Sequence, residues 1–143
     1  ATENDYETSK RFTKDKEFWL AKLENFEDNI LFEKTTLDRA VGKRISIHLL
    51  DKATDNIKRF CEENEVSISN LFSAIMHVIK QKKTLSKTNS VGLLIHNRNN
   101  RKEKTSTGIF SRVLPMIVEM DKNLSIKSYL NKIKLESLNV LKH

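Results

Sequence analysis

The chain has 143 residues, 38% of them hydrophobic and 31% charged, with a net charge of +7 at pH 7. That length suits one domain, able to bury about 68–70% of its unfolded surface, and no apolar run approaches the roughly 20 residues that cross a bilayer. One cysteine, Cys61, excludes an internal disulfide, and the polar, acidic start (Thr2, Glu3, Asn4, Asp5) is unlike a signal peptide. The expected compartment is the cytoplasm.

In chain order, the first expected element is a helix from about Thr8 to Asn25. Phe12, Trp19, Leu23 and Phe26 recur at spacings of seven, four and three, which places them on one helical face. Residues 25–40 have no clear period and read as a connection. Lys43 to Leu49 alternates, with Ile45, Ile47 and Leu49 on one side and Ser46 and His48 on the other, the pattern of a half-exposed strand. Asp51 is the expected cap of a helix running to about Asn64, with Ala53, Ile57, Phe60 and Cys61 inward.

A further helix starts at Ser67, with Val66 and Leu71 as a hydrophobic staple. Ile68, Leu71, Phe72, Ile75, Met76 and Ile79 form a broad apolar face on it, which predicts a well-buried helix. His77 lies one residue off that stripe and reads as a packed or boundary histidine rather than a base. Asn89 to Asn97 reads as a strand. The unbroken Val91, Leu93, Leu94 and Ile95 fit a central strand covered on both faces. After a polar, basic stretch, Gly108 to Met120 reads as a long strand in which Pro115 demands an edge or a bulge, because it donates no ladder bond. The last helix, about Leu124 to Lys142, is expected to bury Ile126, Leu130, Ile133, Leu138 and Leu141. Helices alternating with strands favour a layered α/β arrangement. One proline and three glycines leave little room for a flexible linker, and a helical pattern running to the last residues suggests a piece of something larger.

The chemistry-bearing residues form no self-contained active site. The four histidines (His48, His77, His96, His143) are scattered and there is no second cysteine, so no metal set is expected. There is no glycine-rich phosphate loop and no Gly-x-Ser-x-Gly elbow. The positive charge suits nucleic acid, a membrane surface or an acidic protein partner. Two basic clusters occur: Lys80, Lys82, Lys83 and Lys87, then Arg98, Arg101, Lys102 and Lys104. Neither carries the interleaved aromatics that sequence-independent nucleic-acid binding uses, and Glu103 dilutes the second, so neither nucleic acid nor membrane is an expected partner.

Several stretches, in order, resemble condensation domains of nonribosomal peptide synthetases. "SKRFTKDKEFWLAKL" places Ser9, Phe12, Asp15, Phe18, Trp19 and Leu23 on the family's S-x-x-F-x-x-D-x-x-F-W-x-x-x-L helix. "FCEENEVSISNLFSA", from Phe60, is similar to the family's short helix pair leading into a buried helix. "HNRNNRKEKTSTGIFSRVLPM" matches a strand ending in N-R, a polar loop, G-x-F and a strand ending in L-P, through Asn97, Arg98, Gly108, Phe110, Leu114 and Pro115. His143 falls where the family opens an H-x-x-Y-P-like segment.

The resemblance implies part of a chloramphenicol-acetyltransferase-like α/β lobe, a mixed sheet packed by helices. Residues 1–27 would hold the lobe-connecting helix and 43–143 the first part of the C-terminal lobe. The family joins an acyl or peptidyl thioester on one carrier protein to the amine of an aminoacyl thioester on another. Both substrates ride on phosphopantetheine arms, and no cofactor is bound directly. The implied partners are acyl or peptidyl carrier proteins and an N-terminal lobe of the same domain, expected upstream, which would bear the H-H-x-x-x-D-G motif that this chain lacks. No catalytic residue is therefore expected here, and the chain alone is expected to be inactive. By the resemblance, Arg98, Gly108, Phe110 and Arg112 line or shape the substrate channel. Gly108 would let backbone pass closely, Phe110 would pack beside it, and Arg98 would orient a loop or meet a phosphate. Ser111, Arg112 and Val113 depart from the family's small V-N-T-like run, and Arg112 replaces a neutral polar residue. The competing readings are a coenzyme A-dependent acyltransferase of the same fold, an inactive carrier-protein docking module, and a basic nucleic-acid-binding domain.

Overall fold

The structure is a computed structural model that describes residues 6–24, 26, 42–96, 98, 104–121 and 123–143. Its elements are α1 (Lys10–Leu23), α2 (Asp51–Glu63), α3 (Ile68–Thr84), β1 (Thr88–Ile95), β2 (Arg112–Glu119) and α4 (Ile126–Lys142). Apart from Phe26, the expected connection over 25–40 lies outside the described residues.

Serine caps start three of the four helices. Ser9 Oγ accepts from the Phe12 amide, Ser67 Oγ from Asn70 and Ser125 Oγ from Ser128, each satisfying an amide that has no partner within its own helix. The exception corrects an expectation. Leu50, not Asp51, is the cap of α2 and makes no side-chain cap bond; Asp51 is already helical. Asp51 still stands in the first turn, where its charge faces the positive end of the helix dipole.

β1 and β2 pair antiparallel, with Val91 opposite Met116 and Leu93 opposite Leu114. Pro115 stands opposite Gly92 in a strand that, among the described residues, has a neighbour on one side, the edge setting a proline requires. α3 and α4 pack against this pair and each other. The core they enclose holds Cys61, Val66, Ala74, Met116, Val118, Met120, Leu130 and Ile133, with Leu71 packed against it, so the two staple residues share one cluster. Tyr129 on α4 donates its hydroxyl to the Ala74 carbonyl of α3 at 3.0 Å.

Four burial expectations fail, and one physical reason covers them. Residues 43–49 form no strand, and Ile45, Ile47 and Leu49 are exposed. Alternation makes a segment fit for a sheet, but a strand exists only through hydrogen bonds to a neighbour, and among the described residues β1 pairs with β2 alone. β1 is not covered on both faces, since Leu94 is 68% exposed. On α3, Ile68, Phe72, Ile75, Met76 and Ile79 are exposed, while Ala74, His77 and Lys80 are buried. On α4 the buried run is Leu130, Ile133, Ser137 and Val140, and Ile126, Leu138 and Leu141 are exposed. In each case the apolar stripe is wider than the face that the described elements cover.

His77 is packed, as expected of it, and fully buried. Its Nδ1–H donates to Asn89 Oδ1, and the Asn89 amide donates back to the His77 carbonyl at 3.4 Å. Burial chiefly, with a smaller push from Lys80, holds its imidazolium pKa below the usual 6.5, against an opposing pull from the Asn89 bond. The folded pKa lies below the unfolded one, so the stability from neutral His77 is present above pH 6.5 and is lost as pH falls below it. His77→Gln keeps a donor for Asn89 without titrating. Its thermal midpoint should fall less than the parent's between pH 7 and 5; identical pH profiles would refute the assignment.

Gly92 shows how tightly the two strands are matched. A Cβ there would lie 2.7 Å from Val113 Cγ1, closer than two carbons approach. Val113 is exposed and can turn away, so Gly92→Ala should cost only about 1 kcal/mol. The double variant Gly92→Ala/Val113→Ala should recover most of it in chemical denaturation. No recovery would mean that the cost lies in the backbone of β1.

Candidate functional site: a clamped loop beside a basic cleft

Beyond the end of β1, the Arg98 guanidinium reaches across to the segment that leads into β2. Nη1 donates to the Ser106 carbonyl at 2.8 Å and Nη2 to the Gly108 carbonyl at 2.9 Å. The same group lies over the Phe110 ring, 4.2 Å from its centroid. A planar fork with a delocalised charge can make two parallel bonds and stack at once, which an ammonium cannot. Gly108 has φ +145°, a conformation that strains any L side chain, and a Cβ there would also touch Phe110 at 3.5 Å. So Arg98, Gly108 and Phe110 come together. The Arg98 guanidinium thus bonds two carbonyls of the segment that carries Gly108 and Phe110. The expected strand start at Gly108 is corrected by the same geometry. Residues 108–111 are not in the ladder, and β2 begins at Arg112.

Arg112 stands exposed opposite Ile95, at the mouth of the β1–β2 pair. Together with Arg98, His96, Leu114, Val140, Arg11 and His143 it lines a cleft of about 260 Å³.

A second group of residues adjoins it. Asp15 of α1 is buried. Its Oδ1 accepts from His143 Nδ1 at 3.1 Å, its Oδ2 accepts from the Tyr6 hydroxyl at 2.8 Å, and Arg11 Nε lies 3.6 Å away. The His143 ring stacks on Phe18, with centroids 4.2 Å apart and planes within 9°. Burial, then the bond and charge of Asp15, push the Tyr6 phenol above its usual value of 10.0. A carboxylate here joins α1 to the end of α4, and an ion pair between Lys22 and Glu136 repeats the link one helical stretch away. Reading Phe12, Trp19, Leu23 and Phe26 as the inward face missed this. The signal was available, since Asp15 stands three residues after Phe12 and four before Trp19, on the apolar stripe itself.

One member of each basic cluster is engaged with backbone carbonyls. Lys80 is buried and donates to the Ser90 carbonyl at 3.1 Å, and Arg98 is committed to its loop; Arg101 and Lys102 lie outside the described residues. Among the described residues, no helix is long and apolar enough to cross a membrane.

The condensation-domain family model matches residues 1–143. The chain is 31% identical over 144 residues to a plipastatin synthase of Bacillus subtilis (strain 168), covering 99% of this chain and 6% of that protein. It is 25% identical over 147 residues to a surfactin synthase of the same organism, covering 99% and 4%. Among solved structures, the first condensation domain of the calcium-dependent antibiotic synthetase, in complex with a substrate analogue, superposes with a TM-score of 0.83 at 18% identity, over 98% of this chain and 32% of that one. The fold is thus the α/β, chloramphenicol-acetyltransferase-like fold of these domains, of which this chain spans about a third. Every residue from 1 to 143 falls within the family match, and the chain belongs to the condensation-domain family.

Proposed function

We propose that this chain is part of a condensation domain that forms amide bonds between carrier-protein-bound thioesters in nonribosomal peptide synthesis, in the cytoplasm. The observation that carries this reading is the family match over the entire chain, including the segment from Arg98 to Pro115. Residues 1–27 would connect two lobes, and residues 43–143 would begin the second. The amine nitrogen of the acceptor attacks the thioester carbonyl of the donor. A C–N bond forms, the C–S bond breaks, and the arm's thiolate leaves, taking up the proton that the amine sheds. The group that moves the proton and the donors that steady the oxyanion would come from the H-H-x-x-x-D-G motif, outside this chain. Substrates would arrive on phosphopantetheine arms.

This chain's part is to hold a channel wall. Arg98, by fixing the Ser106 and Gly108 carbonyls and the Phe110 ring, would set the shape of that wall, and Arg112 would face the ligand at its edge. The four residues Arg98, Gly108, Phe110 and Arg112 would thus position substrate rather than react with it.

The test uses the domain that contains this sequence, mixed with an acyl-loaded donor carrier and an aminoacyl-loaded acceptor carrier. Amide product on the acceptor, seen by mass spectrometry of the intact carrier, is the expected result. Transfer to the acceptor from acyl-coenzyme A and not from the loaded donor would make it a coenzyme A-dependent enzyme. Carrier binding without product would make it a docking module.

A further inference from the structure

α1 meets the end of α4 along a seam of polar side chains. The residue that α1 buries is a carboxylate, Asp15, while its Leu20 and Leu23 stay exposed. Asp15 Oδ1 accepts from His143 Nδ1, and Lys22 pairs with Glu136. Asp15 and Lys22 stand seven residues apart on α1, and Glu136 and His143, the C-cap of α4, stand seven apart as well. Seven residues make about two helical turns, so both links fit a single antiparallel register. Their polarity is exchanged. In the first, α1 supplies the acceptor and α4 the donor. In the second, α1 supplies the cation and α4 the carboxylate. The Phe18 ring connects the two, stacked on His143 with centroids 4.2 Å apart and lying 5.1 Å from the Lys22 ammonium.

Such a seam can add stability or specify an arrangement. Exposed ion pairs contribute little to either, because water screens them. These pairs are shielded: the side chains of Lys22 and Glu136 are 17% and 14% exposed, those of His143 and Asp15 22% and 7%. Desolvation offsets much of a shielded pair's attraction, and its best-attested use is to fix register, since misalignment strands buried polar groups without partners. A slide of α1 by one turn, about 5.4 Å, would part both links. Turning α1 end for end would set Lys22 against His143 and Asp15 against Glu136, donor to donor and acceptor to acceptor. Aliphatic contacts are non-directional and would discriminate less.

The register reaches beyond α1. Arg11 of α1 lies 3.6 Å from Asp15, and Arg11 and His143 line the same cleft as Arg98 and Arg112. A shift of α1 therefore moves Arg11 relative to the mouth of the β1–β2 pair. We propose that Asp15, acting through His143 together with the Lys22–Glu136 pair, is a positioning residue that sets the register of α1 on α4 and, through it, the shape of this cleft. Its consequence for amide formation rests on the function proposed above; the register rests on this chain's own residues.

Two measurements on the domain that contains this sequence test it. Spin labels at Glu17→Cys on α1 and Leu94→Cys on β1, both exposed positions, read the distance from α1 to the strand pair, in a background without other exposed cysteines. Asp15→Ala and Lys22→Glu should each shift or broaden that distance distribution. Asp15→Asn, which keeps an acceptor oxygen for His143, should stay near the parent, and the exchanged pair Lys22→Glu/Glu136→Lys should restore what Lys22→Glu loses. The second measurement is amide formation between loaded carriers, well below each variant's melting temperature. There Asp15→Ala should lower kcat/KM about tenfold, with the same two rescues. Parental distances and rates with only a lowered melting temperature would make the seam merely stabilising and overturn the proposal. So would an exchanged pair no better than Lys22→Glu alone, or shifted distances with parental rates. A parent that forms no amide would refute the reading of function instead, and the distances would still decide the register.

Discussion

Replacing Ile133 by alanine should cost about 2–5 kcal/mol, a large fraction of the stability of a domain this small. Ile133 is fully buried, and it shares one cluster with Met116, Val118 and Leu130, where β2 and α4 meet. Removing its branched end forfeits the transfer free energy of the lost carbons. It also leaves a cavity that strands on one side and a helix on the other cannot both collapse into. Leu138, five residues on along α4, is the matched control. It is an equally apolar residue that periodicity also placed inward, but it is 55% exposed. Leu138→Ala should therefore cost within about 0.5 kcal/mol, as surface changes do. Thermal denaturation reads both, with a fall in Tm on the order of 10 °C expected for the first. Equal losses at the two positions would mean that α4 packs on a different face.

The second large effect is expected at Arg98. Arg98→Ala removes two charge-assisted bonds to carbonyls, each worth about 1.5–3 kcal/mol, and a cation–π contact worth about 0.5–1 kcal/mol at an exposed site. Because these groups hold one short segment, the loss should appear there rather than in global stability. Amide hydrogen exchange in residues 104–111 should speed up by at least about tenfold, with the β1–β2 amides unchanged. Arg98→Lys should restore little, since one ammonium cannot bond two carbonyls in a fork while lying over Phe110. In the carrier-to-carrier assay, the alanine variant should lower amide formation about tenfold by loosening the positioned wall. Unchanged exchange in 104–111 would show that the loop is held by something other than Arg98.

Much of this architecture was legible in the residues. Ser67 announced a helix start because a short hydroxyl side chain satisfies a local amide, an interaction that needs no tertiary partner; Ser9 caps α1 in the same way, one residue beyond the expected start at Thr8. The β1 and β2 segments showed as dense β-branched and aliphatic runs, and Pro115 correctly demanded an edge. Cys61 and His77 read as packed residues and are. The order of short motifs pointed to the family. Arg98, Gly108 and Phe110 were named together from the pattern N-R…G-x-F, and the fold brings them into contact.

What the residues alone determined, then, is the four helical segments, the β1 and β2 segments to within a few residues, and the family motif order, while the cap of α2 and the start of β2 were placed only by the structure. Tertiary structure decided which part of each apolar stripe is covered, and so buried Ile133 while leaving Ile126, Leu138 and the Ile75–Ile79 side of α3 exposed. It left Ile45, Ile47 and Leu49 without a ladder, because alternation supplies a fit surface and only a paired neighbour supplies the hydrogen bonds. It turned Asp15 from a motif letter into the carboxylate that holds Tyr6 nearby and His143 from 128 positions along the sequence. A periodic pattern reports one element's own faces, whereas burial and long-range ion pairs belong to two elements at once, so they become definite only when those elements meet.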